Sequence, residues 1–138
     1  QRSTFVVVSA MTMGSGLTLR GLRGATTCST NTVVAIEQAV SELMDAVVKH
    51  NALKPDCIVS ITFSVTTDLD ACFPAAVARR REGWDGVALL DCQQMAVEGD
   101  LARCIRLLAH AWMPDDQELR HAYLGEASRL RPDRSSHN

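Results

Sequence analysis

Aromatic side chains are scarce: 3 Phe, 2 Trp and 1 Tyr in 138 residues. So few rings cannot tile a stacking platform for single-stranded nucleic acid or for sugars. A basic excess is missing as well. Lys and Arg total 14 against 16 Asp and Glu, for a net charge of −2, whereas a binder of the phosphate backbone carries the opposite balance. Nucleic acid is therefore set aside as a partner. The 5 cysteines, Cys28, Cys57, Cys72, Cys92 and Cys104, contain no CxxC pair and have no histidine cluster beside them. That spacing fits neither a zinc site nor a disulfide framework, and it reads as reduced thiols in the cytoplasm, with Cys92 expected to face the core. No glycine-rich phosphate loop, GxSxG or HExxH occurs, so hydrolytic and phosphoryl-transfer machinery is absent as a local motif and no metal is expected. The apolar run Phe5–Met11 is too short to span a membrane. With the flexible Gly14-Ser15-Gly16 it is expected to belong to an N-terminal extension over residues 1–16, to which no function is assigned.

What is present is the composition of one ordinary globular domain, 46% hydrophobic and 22% charged. A chain of this size buries roughly two-thirds of its unfolded surface and needs no covalent staple. Leu17–Ala25, bounded by glycine and by Thr26-Thr27, suits a first strand on which Arg20 and Arg23 face opposite sides. The N-cap cluster Ser29-Thr30-Asn31-Thr32 opens a helix running to Asn51, with Ile36, Val40, Leu43 and Val47 at helical spacing. Residues 58–66 alternate strictly. Val59, Ile61, Phe63 and Val65 are expected on one face, Ser60, Thr62, Ser64 and Thr66 on the other, and the polar face must meet water, a ligand or another subunit. A short helical turn follows at Phe73–Arg81, with Pro74 near its start. Then come a strand at Val87–Asp91, a strand or helix at Cys104–Ala111, and a final strand from His121 to Leu130. The order β-α-β-α-β-β-β without repeats predicts a single α/β domain over residues 17–133, with residues 134–138 a disordered tail.

Arginine is the residue type that asks for an explanation. Lys49 and Lys54 are the only lysines, against 12 arginines, and arginine is the side chain suited to bidentate recognition of carboxylate or phosphate. Arg23, Arg79, Arg106 and Arg131 fall on or beside predicted elements. Arg106 is flanked by Ile105, Leu107 and Leu108, and a guanidinium in such company costs stability unless an anion or an acid meets it. An intrachain salt bridge is the plain explanation, a bound anion the functional one.

The string Arg20-Gly21-Leu22-Arg23-Gly24-Ala25-Thr26-Thr27 resembles the N-terminal signature of the trimeric α/β class of chorismate mutases. The likeness continues in order through Asp68-Leu69, Phe73-Pro74-Ala75-Ala76, Gly83-Trp84, Gln93, Met95, Cys104-Ile105-Arg106, Arg120–Leu124 and Leu130–Asp133. The resemblance implies an α+β fold, a mixed sheet packed on one long helix, in a homotrimer whose sheets share a core. It implies conversion of chorismate to prephenate on the way to phenylalanine and tyrosine, with no cofactor. Residue by residue, Arg106 takes the place of the arginine that donates to the ether oxygen. Arg23 matches the substrate-contacting arginine of the first strand, and Tyr123 the tyrosine that binds a carboxylate. Phe73, Ala75 and Arg79 match a segment that closes the pocket from the neighbouring subunit. Leu90 lines it, and Leu130 and Arg131 match the segment that covers it. Members of the family commonly carry a glutamate where this chain has Gln94, a carboxylate that accepts from the substrate hydroxyl and balances the arginines. Asp91, three residues earlier, is expected to replace it, through a bulged or turning strand end that brings both positions into one site. The alternative is a trimeric protein that binds a small anion or regulates, with weakened catalysis. A deaminase of reactive imines on a similar trimeric scaffold would rest on fold analogy alone.

Overall fold

Strand β4, Cys104–Pro114, alternates along its whole length: Ile105, Leu107, Ala109, Ala111 and Met113 are buried, while Arg106, Leu108, His110 and Trp112 are more open. A period of two with one apolar side is what a half-buried strand requires, and it resolves the strand-or-helix ambiguity of this segment. In the computed structural model, which describes residues 16–130, β4 lies at the centre of a five-stranded sheet of order β3-β2-β4-β1-β5. β1 (Leu17–Thr27) and β2 (Ile58–Val65) flank it antiparallel, while β3 (Ala88–Gln93) adds parallel to β2 and β5 (Ala122–Tyr123) parallel to β1. The expected extension before residue 16, Arg131 and the tail lie outside the described residues.

Helix α1 (Val33–Asn51) covers the apolar side of the sheet. Thr32 caps it by accepting from the Ala35 N–H at 3.1 Å, the usual role of a threonine at that position. Ala52 ends it in the left-handed region, its N–H turned back to the Lys49 carbonyl. Ile36, Val40, Leu43, Met44 and Val47 form the buried stripe and meet Leu22, Ile61, Phe63, Ile105 and Leu107 in one core. The helix comes very close at Gly24, where a Cβ would lie 3.1 Å from Leu43 Cδ1 and 3.2 Å from the Ala122 carbonyl. A side chain here would press on both α1 and β5, and glycine lets them approach β1 without that strain. A second, shorter helix, α2 (Pro74–Arg79), packs beside α1 and β3, so the protein is a mixed-sheet α+β structure.

Three expectations need correction. Val59 does not join Ile61 and Phe63 but is exposed, because the β2–β4 register shifts between Ile58 and Ser60. Cys92, expected to face the core, is exposed opposite Ser64 on the far side of the sheet. The last strand stops at Tyr123. Gly125 then adopts φ +57 and residues Gly125–Arg129 wind into a 3-10 helix around buried Ala127, a reversal that an extended strand cannot make. Arg20 and Arg23 do face opposite sides of β1, since their partners Ala111 and Leu108 do.

The loop between β4 and β5 is tied to the end of α1 by Asn51. Asn51, 1% exposed, donates to the Val47 and Arg120 carbonyls at 2.9 and 2.8 Å and accepts from the Arg120 N–H at 2.9 Å. Asn51→Ala would leave both backbone groups of Arg120 without this partner, so destabilisation of about 2–3 kcal/mol is expected in urea unfolding. An unchanged midpoint would show that water replaces the amide at no cost.

Candidate active site

The side of the sheet away from α1 gathers the polar residues of three strands. Arg23 projects from β1, Thr62 and Ser64 from β2, and Arg106 from β4; with Tyr123 of β5 and Leu130 they line an open cavity of about 440 Å³. The register explains the grouping: Arg106 lies between Ala25 and Ser64, and Leu108 between Arg23 and Thr62. Arg23 and Arg106 are therefore diagonal neighbours on adjacent strands. Two guanidiniums border this cavity and no carboxylate is among its lining residues, an arrangement that favours an anionic guest. Tyr123, 6% exposed, is wedged among Ala25, Ala127, Leu101 and Leu130. The Arg23 N–H donates to His121 Nδ1 at 3.0 Å, so that histidine supports the strand that carries the arginine.

Arg106 is met from one side by an acid that sequence reasoning missed. Its Nη2 lies 3.4 Å from both carboxylate oxygens of Asp100. Asp100 also accepts from Gln94 Nε2 at 2.6 Å and from the Leu101 N–H at 2.8 Å. Gln94, Asp100 and Leu101 line a smaller recess of about 210 Å³, and the Arg106–Asp100 pair joins a residue of the main cavity wall to one of the recess. Nothing in linear spacing announces Asp100, because it reaches Arg106 across a turn and a strand start. The available signal was Gly99 just before it: Gly99 takes φ +85 in a turn closed by the Asp100 N–H on the Val97 carbonyl.

The remaining expected residues form a second group. Phe73, 70% exposed, precedes α2, Ala75 is buried in it, and Arg79 is exposed at its end. Leu90, 61% exposed, lies on β3. Asp91 belongs with this group and does not meet Arg23 or Arg106 within the chain. It is paired with Phe63, whose side chain is in the core, whereas Arg106 is paired with Ser64 on the opposite side. The bulge that was to turn it does not occur, since β2 and β3 pair without a register shift. Its carboxylate instead accepts from the Ala75 N–H at 3.0 Å, fixing the first turn of α2. Burial raises the Asp91 carboxyl above the usual carboxylate range, against the opposing effects of the Ala75 N–H and of Arg79. Three thiols are held protonated by burial, which pushes Cys28 up to about 11 and also raises Cys72 and Cys104. Among the described residues no group of three His, Cys, Asp or Glu is placed to hold a metal ion.

Fold and cavity together define an α+β protein with two arginines beside one cavity on the open face of its sheet. The family profile for chorismate mutase type I matches residues 19–134. The chain is 40% identical over 119 residues to chorismate mutase AroH of Bacillus subtilis, covering 85% of this chain and 93% of the relative. Against chorismate mutase AroH of Thermus thermophilus it is 41% identical over 121 residues, covering 86% and 98%. A solved chorismate mutase from Clostridium thermocellum superposes with a TM-score of 0.74 at 38% identity, over 80% of this chain and 99% of that one. The chain belongs to the chorismate mutase type I family and is an isomerase of that kind. Nothing among these likenesses favours the anion-binding or deaminase alternatives.

The geometry of Asp91 makes a prediction about pH. A carboxyl whose folded-state pKa is raised holds its proton more tightly in the folded than in the unfolded chain, so stability declines as pH rises from the unfolded value through the folded one. Asp91→Asn keeps an acceptor for the Ala75 N–H and removes the titration. Its urea midpoint between pH 4 and pH 7 is expected to fall less than that of the parent chain; parallel curves would refute the assignment.

Proposed function

We propose that this chorismate mutase converts chorismate to prephenate in the cavity between Arg23 and Arg106, at a site completed by a neighbouring chain. The observation that carries the reading is the placement of these two arginines beside one cavity that has no lining carboxylate. Chorismate is a dianion that rearranges by a concerted shift of electrons: a carbon–oxygen bond breaks as a carbon–carbon bond forms. No proton need move and no nucleophile is consumed. The protein's task is to hold the folded-over conformer and to stabilise charge as it separates.

Arg106 donates to the ether oxygen, where negative charge grows as the bond to carbon breaks. Its place on the central strand, with Ile105 and Leu107 locked in the core on either side, keeps the guanidinium from relaxing away between turnovers. Arg23 and the Tyr123 hydroxyl bind substrate carboxylate, and Thr62 and Ser64 supply further hydroxyls on the floor of the cavity. Leu130 borders the cavity and helps cover the bound substrate, a role also assigned, by the family resemblance alone, to Arg131. No metal or cofactor has a part in this scheme.

The second group of residues enters from the next subunit of a homotrimer. The open side of the sheet exposes Leu19, Leu90 and Leu108, large apolar side chains on a face that α1 does not cover. Their burial between three chains would bring Phe73, Ala75, Arg79 and Leu90 of one chain to the arginines of another. Asp91, by holding the Ala75 N–H, sets the angle at which that segment is presented. Such an enzyme works in the cytoplasm, where its free cysteines stay reduced. Its product feeds phenylalanine and tyrosine synthesis.

Arg106→Ala is expected to lower kcat/KM for chorismate by about 10³-fold, read as loss of the substrate's ultraviolet absorbance with prephenate as product, and Arg106→Lys should recover little of it. Turnover within tenfold of the parent would end the assignment of Arg106. The shared site has its own signature. Arg106→Ala and Arg79→Ala chains, each impaired alone, should regain activity when refolded together, because random assortment leaves about a quarter of the interfaces with both arginines intact. Mixed trimers no better than their parents would place Arg79 outside the site.

A further inference from the structure

Two buried polar side-chain atoms have no hydrogen-bond partner: Arg106 Nε, a donor on the cavity wall, and Gln94 Oε1, an acceptor in the smaller recess beside it. Buried polar atoms are ordinarily satisfied, and an exception asks for a cause. Both atoms belong to side chains whose other ends are held by the same residue. Asp100 accepts from Gln94 Nε2 at 2.6 Å and lies 3.4 Å from Arg106 Nη2. Because a carboxylate only accepts, Asp100 fixes the amide of Gln94 with its nitrogen inward and its oxygen free. In the same way it engages the Nη2 end of the guanidinium and leaves Nε unused. Asp100 is itself fixed, by the Leu101 N–H at 2.8 Å and by the turn at Gly99.

The free donor and the free acceptor match the two groups that chorismate carries on adjacent ring carbons, an ether oxygen that accepts and a hydroxyl that donates. We propose that Asp100 is a positioning residue of this active site, clamping Arg106 and Gln94 so that Arg106 Nε donates to the ether oxygen and Gln94 Oε1 accepts from the substrate hydroxyl. Hydroxyl acceptance and charge balance, which one glutamate would combine, are here divided between a neutral amide in contact with substrate and a carboxylate behind it. The inference rests on the reading in which chorismate occupies the Arg23–Arg106 cavity. It also explains how a glutamine can serve at position 94 without leaving Arg106 unopposed. An ion pair of purely structural value would not need Gln94 as a third member, nor leave an atom of each partner side chain unsatisfied.

Four proteins test it: the parent, Asp100→Ala, Gln94→Glu, and the double variant, with kcat and KM for chorismate measured from pH 5 to pH 9 and folding checked by circular dichroism. Asp100→Ala is expected to lower kcat by about 10- to 100-fold with a smaller change in KM. Gln94→Glu placed in that background should recover at least about tenfold of the loss, since its carboxylate then faces Arg106 directly. The same Gln94→Glu beside an intact Asp100 puts two carboxylates at hydrogen-bond distance. It should add to the kcat profile an ionisation that the parent lacks. Should Asp100→Ala fail to fold, Asp100→Asn retains an acceptor for the Leu101 N–H, and the same kcat loss and rescue are expected of it. An Asp100 variant with parental kcat, or losses that simply multiply in the double variant, would overturn the proposal while leaving the activity of the parent in place. A folded parent that does not consume chorismate would overturn the reading of the cavity, and this inference with it.

Discussion

Strand β4 must satisfy two environments at once, and the rest of the molecule follows from how it does so. One side of it supplies Ile105, Leu107, Ala109, Ala111 and Met113 to the core beneath α1. The other side holds Arg106 at the centre of an open sheet face. Because successive side chains on a strand point in opposite directions, the packing of Ile105 and Leu107 aims the arginine between them. A one-residue slip in register would send Arg106 into the core and Leu107 to the cavity, at a cost in both burial and unpaired charge. The sheet thus protects the site by the same constraint that stabilises the fold.

The long helix was legible because its apolar spacing, its threonine cap and its C-terminal stop all agree, and local agreement of that kind is seldom overridden. Strand β2 was legible from Ile61 onward and misread at Val59, where a register shift breaks the alternation. Shifts of this kind come from the partner strand and leave no mark in local spacing. The end of the chain was misread for a similar reason: His121–Leu130 has strand-like composition, and the fold is decided by Gly125 adopting a positive φ against Thr27.

The site was legible in unequal parts. Arg23 and Arg106 stand on strands whose facing follows from alternation, so bringing them together needed only the correct pairing of β1 with β4. Asp91 was the tempting carboxylate because it is near Gln94 in sequence. Alternation itself argues against it: Asp91 shares a side of the sheet with Phe63, and a parallel pair without a bulge offers no means of turning it round. Asp100 could not be found by spacing, since loop geometry and not strand periodicity brings it to Arg106.

A pericyclic reaction tolerates this kind of rearrangement better than an acid–base mechanism would. Where a proton must be transferred, the group that takes it needs a matched pKa within hydrogen-bond reach of one atom, and moving the carboxylate to another element would end the chemistry. Here the requirement is a field of the right sign at the ether oxygen and an acceptor for one hydroxyl, both preorganised. A field can be supplied from behind. Asp100 offsets Arg106 at 3.4 Å, and Gln94, held at 2.6 Å from the same carboxylate, presents its oxygen polarised by the negative charge on its amide side. On the proposed reading, the absence of charge at position 94 is compensated through a hydrogen bond, in a way that leaves the cavity wall itself free of carboxylates and open to a dianion.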